Sequence, residues 1–198
     1  NIPIIQVIEP EFIDTKEPGY VREDLPFAER DGVVAIVKHW SEDKYLGLKW
    51  KKVAWGTWVT GGIEPGQTPE AAARTEILEE VGYKNLKFVK ELGKLHSKFY
   101  HVPKKENRLL HGHCLYFELI NDEKALISDV EAGIHEPVWL TREEVGEFLT
   151  ADAHQWAWGQ LQHDPAMYHG QGYLINSGSY DGLDNVVAAE KIATDLGK

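Results

Sequence analysis

Residues 61–83, GGIEPGQTPEAAARTEILEEVGY, hold the side chains from which both the fold and the function of this chain can be argued. Glu76, Glu79 and Glu80 follow one another at helical spacings of three and four. In a helix these spacings place the three carboxylates on one face, within an arc of about 100°. Like charges so placed repel, so their retention indicates a cation to be bound. Carboxylate oxygen suits Mg²⁺ or Mn²⁺, and this stretch contains no histidine or cysteine.

The residues around these glutamates predict one helix with defined ends. Thr68 is a suitable N-cap, Pro69 suits the first helical position, and Glu70 is favoured in the first turn by the helix dipole. Residues 71–81 are mostly good helix formers, and Gly82 is expected to end the helix.

Runs rich in β-branched and aromatic residues on both sides of this helix predict strands. The predicted strands cover residues 32–40, 45–50, 54–61, 85–100, 108–120 and 135–140. Thr141 is expected to cap a second helix over residues 141–149. The pattern predicts an α/β fold with mixed strands and helices.

The two ends of the chain differ from this central part. Residues 1–8 could form a strand, and residues 9–31 resemble an extended connector. From about residue 151, aromatic residues, glycines and histidines follow with little periodicity, and residues 185–198 predict an amphipathic helix. We therefore expect a flanking segment at 1–30, a central domain at 31–150 and a return segment at 151–198.

Composition excludes several classes of function. The chain has 198 residues, a formal net charge of −11 and 42% hydrophobic residues, as expected of a soluble globular domain. The negative charge argues against non-specific nucleic-acid binding, and no apolar run is long enough to span a membrane. Cys114 is the only cysteine, which excludes an internal disulfide and a thiolate zinc site. We expect a cytoplasmic location.

The stretch from residue 61 to 83 resembles the signature of the Nudix hydrolases. The positions that match the family pattern are Gly61, Glu76, Ile77, Glu79, Glu80 and Gly82. The resemblance implies an α/β/α sandwich with a mixed sheet, and hydrolysis of a nucleoside diphosphate linked to another group. Two positions depart from the pattern: Gln67 stands where the family has Glu, and Thr75 where it has Arg. The adjacent Arg74 lies roughly 100° round the helix and is not expected to replace that arginine.

The resemblance implies roles for individual residues. The metal ligands for Mg²⁺ or Mn²⁺ would be Glu76, Glu79 and Glu80 with the backbone carbonyl of Gly61, and Glu80 would take part in catalysis. A general base is also needed, and relatives often supply one from a loop after the later strands. Glu131 is the first candidate for that base, with Glu136 and Glu118 as alternatives, although each could simply be a solvated surface charge.

Candidates for substrate binding come from the strands. Trp50 and Lys52 place an aromatic ring beside a cation, which could stack a base and contact a phosphate, although a core tryptophan and a solvated lysine are the simpler interpretation. His111 and His113 alternate onto one face of a strand and could touch substrate, or could be ordinary polar strand residues.

The last part of the chain carries a second resemblance. Asn176, Ser177, Gly178, Tyr180, Gly182 and Leu183 are similar to a passage at the exit of the editing domain of bacterial leucyl-tRNA synthetases. The opening NIPIIQVIEP is similar to an earlier stretch of the same domain. These similarities imply a Nudix domain inserted within such an editing domain. The chain begins at Asn1 rather than Met, so we expect a fragment or an excised domain.

Two hypotheses for function follow. The first is a metal-dependent Nudix hydrolase acting on a nucleotide-type small molecule, with tRNA as a partner only through the parent synthetase. The second is a degenerate Nudix module that has a binding or structural role in tRNA handling and does not hydrolyse. The sequence leaves the oligomeric state open, either a monomer or an unknown oligomer.

Overall fold

The structure, a computed structural model, describes residues 9–163. One mixed sheet forms its centre. The strands are β1 (Glu11–Ile13), β2 (Phe27–Lys38), β3 (Lys44–Trp50), β4 (Gly56–Thr57), β5 (Val59–Gly62), β6 (Leu86–His101), β7 (Glu106–Leu119) and β8 (His135–Thr141). The helices are α1 (Pro69–Val81), α2 (Asp129–Ile134), α3 (Arg142–Phe148) and α4 (Asp152–Gln162), with a short 3₁₀ turn at Val102–Lys104.

The sheet has the order β1-β6-β7-β2-β3-β4, with β5 paired to β2 and β8 paired to β3. Strand β7 runs parallel to β2 over the whole length of β2, whereas β6 and β7 form a long antiparallel hairpin. Strand β5 is antiparallel to β2, and β8 is antiparallel to β3. The mixed sheet of the predicted α/β/α sandwich is confirmed.

Side chains alternate along β2 between two cores. Val33, Ala35 and Val37 face the layer that contains α1, while Val34 and Ile36 face the layer that contains α4. Since successive residues of a strand point to opposite faces, a run of six buried residues on β2 requires cover on both sides. Helix α1 therefore lies on one face of the sheet and α4 on the other.

Several element boundaries differ from the predicted ones. Strand β2 begins at Phe27 because the backbone of its polar first residues pairs with β7. The predicted third strand is divided into β4, which pairs with β3, and β5, which pairs with β2. The predicted strands at 85–100 and 108–120 are confirmed as β6 and β7. The predicted strand at 1–8 and helix at 185–198 lie outside the described residues.

Two helices were not predicted. Helix α2 has only six residues and follows Ser128, whose hydroxyl accepts a hydrogen bond from the backbone N–H of Glu131. Helix α4 buries Trp156, Ala157 and Leu161 against the sheet. It starts in the stretch where the sequence showed little periodicity. Within residues 9–163, no helix combines the length and the apolar character that crossing a membrane needs.

Helix α1 has the predicted ends. The side chain of Thr68 accepts a hydrogen bond from the backbone N–H of Ala71, and Pro69 opens the helix. Gly82 ends it with a φ of 82°, in the left-handed region. The backbone N–H of Ala125 donates to the carbonyl oxygen of Gly82, so the chain after β7 folds back over this end of the helix.

Replacing Gly82 should destabilise the domain more than replacing Gly66 does. Both glycines have positive φ, so Gly66→Ala should lower the free energy of unfolding by about 1 to 2 kcal/mol through backbone strain alone. A Cβ atom at Gly82 would also lie 2.5 Å from the carbonyl oxygen of Ala125, whereas a Cβ atom at Gly66 would meet nothing within 4 Å. Urea unfolding of both variants measures the difference, and equal losses would contradict the steric argument.

Candidate active site

The close approach of α1 to β5 defines one wall of the candidate site. Gly61 pairs with Val33 of β2, and a Cβ atom built on Gly61 would lie 1.9 Å from the carboxyl carbon of Glu76. Only glycine at position 61 leaves room for this carboxyl group beside the sheet. The structure therefore places two of the predicted metal-site residues, Gly61 and Glu76, against each other.

The three glutamates of α1 differ in exposure. Glu79 is exposed, Glu76 is half-buried, and Glu80 is 9% exposed. Among the residues that the structure describes, none forms a hydrogen bond with the Oε2 atom of Glu80. One helical face therefore carries all three carboxylates, and their exposure to solvent falls from Glu79 through Glu76 to Glu80.

Burial and mutual repulsion perturb these carboxyl groups. Burial, followed by the charges of Glu79 and Glu131, raises the pKa of Glu76 to about 7. The pKa of Glu80 lies well above its usual range, chiefly because of burial and then because of Glu76, Glu131 and Glu79. Burial and Glu79 also raise the pKa of Glu131. The fourth carboxylate, Glu131, therefore belongs to the same electrostatic cluster.

His135 completes this cluster, and sequence analysis did not identify it. Its Nδ1 atom lies 3.9 Å from a carboxylate oxygen of Glu80 and 3.8 Å from one of Glu131. Burial lowers the pKa of His135 to about 4, so the ring is neutral near pH 7. The sequence feature that could have identified His135 is its position four residues after Glu131. The strand pattern predicted only that His135 begins a strand.

The donor atoms of this cluster suit a divalent cation. One ligand atom each from Glu80, Glu131 and His135 lies within 4.8 Å of the others. Within residues 9–163 one oxygen of Glu80 has no hydrogen-bond partner, and the raised carboxyl pKa values indicate that the protein alone disfavours the charged forms of these groups, which a bound cation would favour. Oxygen-rich donor sets of this kind hold Mg²⁺ or Mn²⁺. The residues present therefore fit the metal that the family pattern implies.

The structure shows what Thr75, one of the two departures from the family pattern, and the adjacent Arg74 contact. The Thr75 hydroxyl donates to the carbonyl oxygen of Ala71 and is exposed. Arg74 forms an ion pair with Glu70, at 2.8 Å, and donates a hydrogen bond to the carbonyl oxygen of Leu86, at 2.9 Å. Arg74 therefore does not replace the missing arginine, as predicted.

A different arginine is close to the acidic helix. Arg30 of β2 lies 4.0 Å from the carboxylate of Glu64, and its charge opposes the rise in the pKa of Glu76. Gln67 contributes to the same loop, because its side-chain oxygen accepts a hydrogen bond from the backbone N–H of Glu64. The glutamine thus shapes the turn between β5 and α1.

A cavity of about 570 Å³ opens beside the cluster. Its lining includes five of the residues predicted to form the site, namely Trp50, Lys52, Gly61, Glu80 and Glu131. Further along, the walls are apolar and cationic, with Phe12, Leu95, Phe99, Leu110, Arg30 and Arg108. A cavity with an acidic end and a basic, aromatic wall can hold a ligand that carries both a ring and anionic groups.

The aromatic wall is built around Trp50. Its ring meets the His135 ring edge-on, with centroids 4.5 Å apart, and its Nε1–H donates to the hydroxyl of Thr57 at 3.0 Å. The rings of Trp55 and His101 lie 5.2 Å and 6.2 Å from it. Trp50 is therefore fixed in place beside the acidic cluster.

The remaining candidates lie elsewhere on the sheet. His111 forms an ion pair with Glu29 and a 2.7 Å hydrogen bond with His96, while His113 lies 2.9 Å from Glu91. Neither histidine is among the residues that line the cavity. The structure does not bring these two together with the acidic cluster, and their role in substrate binding stays a prediction.

The alternative general bases are also outside the cavity lining. Glu136 is exposed on β8 opposite Lys49. Glu118 accepts a hydrogen bond from the hydroxyl of Tyr116 at 3.1 Å. Among the three candidates, Glu131 alone lines the cavity and shares the electrostatic cluster of Glu80.

Comparisons with known proteins agree with this architecture. The structure of the E. coli dihydroneopterin triphosphate pyrophosphohydrolase superposes with a TM-score of 0.52 at 17% identity, covering 66% of this chain and 92% of that one. The MutT protein from Methanosarcina mazei Go1 gives a TM-score of 0.53 at 15% identity, covering 69% and 96%. At these identities the likeness concerns the fold. No curated protein matches the sequence.

The family match comes from the sequence itself. A family model described as the NUDIX domain matches residues 25–163, more than half of the 198 residues. The matched region starts just before β2 and ends just after α4, so it contains the whole acidic cluster. The sequence match and the fold together show that this chain belongs to the Nudix hydrolase family.

Proposed function

We propose that this domain hydrolyses a nucleoside diphosphate linked to another group, in a reaction that depends on Mg²⁺ or Mn²⁺. The observation that carries the proposal is the buried carboxylate of Glu80 in the cavity lining, one oxygen of which has no partner within residues 9–163, among Glu76, Glu79 and Glu131. Such a concentration of charge is unfavourable by itself and becomes favourable when a divalent cation is bound.

The ligands would be Glu76, Glu79 and Glu80, with the carbonyl of Gly61 as a further donor. When bound, the cation neutralises charge on a diphosphate and makes a water molecule more nucleophilic. The water oxygen attacks phosphorus, the bond from phosphorus to the leaving oxygen breaks, and the water proton must go to a base.

Glu131 is the proposed base. It lies beside Glu80 at the cavity, and its raised pKa makes it a better proton acceptor than an ordinary surface carboxylate. The wall formed by Trp50 with Arg30 and Lys52 suits a substrate with an aromatic base and phosphates. These three side chains would bind and orient the nucleotide without taking part in bond breaking.

A degenerate module without hydrolysis is the alternative, and one observation favours it. Thr75 and Arg74 put no positive charge beside Glu76, Glu79 and Glu80, since the first bonds to Ala71 and the second to Glu70. The alternative predicts that native protein binds metal and nucleotide but releases no phosphate product. Screening nucleoside diphosphate sugars, dinucleoside polyphosphates and nucleoside triphosphates for phosphate or monophosphate release decides between the two.

The context of a leucyl-tRNA synthetase is a further proposal, and it rests on sequence alone. The similar positions, from Asn176 to Leu183, lie outside the described residues, as does most of the opening stretch. Within that context, the domain would meet tRNA only through the parent enzyme, in the cytoplasm. The sequence encoded directly upstream tests this, because an absence of synthetase motifs there would refute it.

Removal of the proposed base should abolish most of the activity. We expect Glu131→Gln to lower kcat by about 100-fold or more, the usual contribution of a general base. Glu136→Gln should leave kcat unchanged, because that side chain is exposed and does not line the cavity. Steady-state kinetics with the best substrate from the screen measures both, and the opposite ranking would move the base to Glu136.

The metal-free domain should become less stable as pH rises. A carboxyl group with a raised folded-state pKa stabilises the fold below its unfolded pKa and loses that contribution as pH rises through the folded pKa. For Glu76 this window runs from 4.5 to about 7. Glu76→Gln should therefore raise the melting temperature in EDTA at pH 8 but change it little at pH 4.5.

A control and a metal titration complete this measurement. Glu147→Gln alters an exposed carboxylate of α3 and should leave the pH dependence unchanged. Adding Mg²⁺ at pH 8 should raise the melting temperature of the native chain more than that of Glu76→Gln. An equal rise in both proteins would show that Glu76 does not bind the cation.

A further inference from the structure

His135 is a buried residue whose two ring nitrogens have no hydrogen-bond partner among residues 9–163. The side chain belongs to a residue that is 5% exposed, and neither ring nitrogen makes a hydrogen bond within the described protein. Buried polar groups in native proteins are nearly always satisfied, so two orphaned nitrogens on one ring indicate a missing ligand.

The position of the His135 ring shows which other side chains could contact the same ligand. The Nδ1 atom faces one carboxylate oxygen of Glu80 at 3.9 Å and one of Glu131 at 3.8 Å. These distances are too long for hydrogen bonds and leave space between the three atoms. The other carboxylate oxygen of Glu80 is also buried without a partner. The imidazole of His135 and the carboxylate of Glu80 can therefore bind one cation between them, with the Glu131 carboxylate beside it.

Local structure holds these three groups in place. Glu131 lies in the first turn of α2, and the backbone N–H of His135 donates to its carbonyl oxygen, so the two side chains are one helical turn apart. On its other side, His135 pairs with Trp50 in the β3–β8 ladder and packs against that indole ring. The imidazole is therefore oriented before any ligand arrives.

We propose that His135 is a nitrogen ligand which, together with Glu80, makes this centre prefer Mn²⁺, Co²⁺ or Zn²⁺ to Mg²⁺, while Glu131 keeps its proposed role as the base. The inference rests on the proposed function, because Glu80 is shared with the ligand set of α1. The inference adds His135, which lies outside residues 61–83, to the proposed metal ligands.

The preference follows from the chemistry of the donor. Mg²⁺ takes oxygen ligands and keeps several of its waters, so it gains little from an imidazole. Affinities of nitrogen-containing sites rise from Mn²⁺ through Co²⁺, and imidazole also suits Zn²⁺. A site made of carboxylates alone would discriminate less among these ions.

Calorimetric titration of the 198-residue chain with MnCl₂, CoCl₂ and MgCl₂ tests the proposal. We expect His135→Gln to weaken binding of Mn²⁺ and Co²⁺ by about tenfold or more while Mg²⁺ binding stays nearly unchanged. His39→Gln is the matched control, since His39 is also buried but its Nδ1 accepts backbone hydrogen bonds from Ser41 and Glu42. Unchanged Mn²⁺ and Co²⁺ affinities in His135→Gln would overturn the proposal.

A spectroscopic measurement on native protein avoids any effect of the substitution on folding. Electron spin-echo modulation of bound Mn²⁺ should show coupling to a ¹⁴N nucleus, and this coupling should be absent from His135→Gln. No nitrogen coupling in native protein would overturn the proposal.

Glu80→Gln separates this inference from the proposed function. If His135→Gln leaves Mn²⁺ binding intact but Glu80→Gln abolishes both Mg²⁺ binding and hydrolysis, only the role of His135 fails. If Glu80→Gln changes neither metal binding nor hydrolysis, the proposed function fails, and the proposal for His135 fails with it.

Discussion

The close contact between helix α1 and strand β5 is the constraint on which the site depends. Ala72, Ala73 and Ile77 bury one face of the helix in the core, which fixes its rotation about its own axis. With that rotation fixed, Glu76 must pass over Gly61, where no side chain could be accommodated. The same packing that stabilises the fold therefore decides where the carboxylates lie.

Local chemistry made the central helix and most strands predictable. The helix has a side-chain cap at Thr68, a proline at its start and a left-handed glycine at Gly82, so its ends are encoded within a few residues. Helix α4 is different, because Trp156, Trp158 and Leu161 acquire a buried face only against a sheet formed by distant residues. Its sequence mixes aromatic and polar residues, and the helical period is recognisable only when that partner is known.

The candidate site likewise contains some residues that the sequence could identify and others that it could not. The glutamates of α1 were identified because their spacing is local and carries a chemical meaning. His135 lies 55 residues after Glu80 and reaches it only because β8 pairs with β3 across the sheet. The same long-range pairing puts Trp50 beside His135. His111 and His113, by contrast, share a strand face with each other, but their neighbours are Glu29, His96 and Glu91 instead of the cavity.

The missing arginine of the family pattern changes how the acidic cluster is balanced. Thr75 occupies the position of that arginine and carries no charge. Among the described residues, Arg30 of β2 is the cation that acts on the pKa of Glu76, and it also lies close to Glu64. The pKa of Glu76 is raised first by burial and then by the neighbouring carboxylates, and a shared, partly exposed arginine offsets only part of that rise. Charge that the protein leaves unbalanced becomes a larger driving force for binding a cation. In this chain, stability of the acidic helix and occupancy of the proposed metal centre would therefore be coupled through the same four carboxylates.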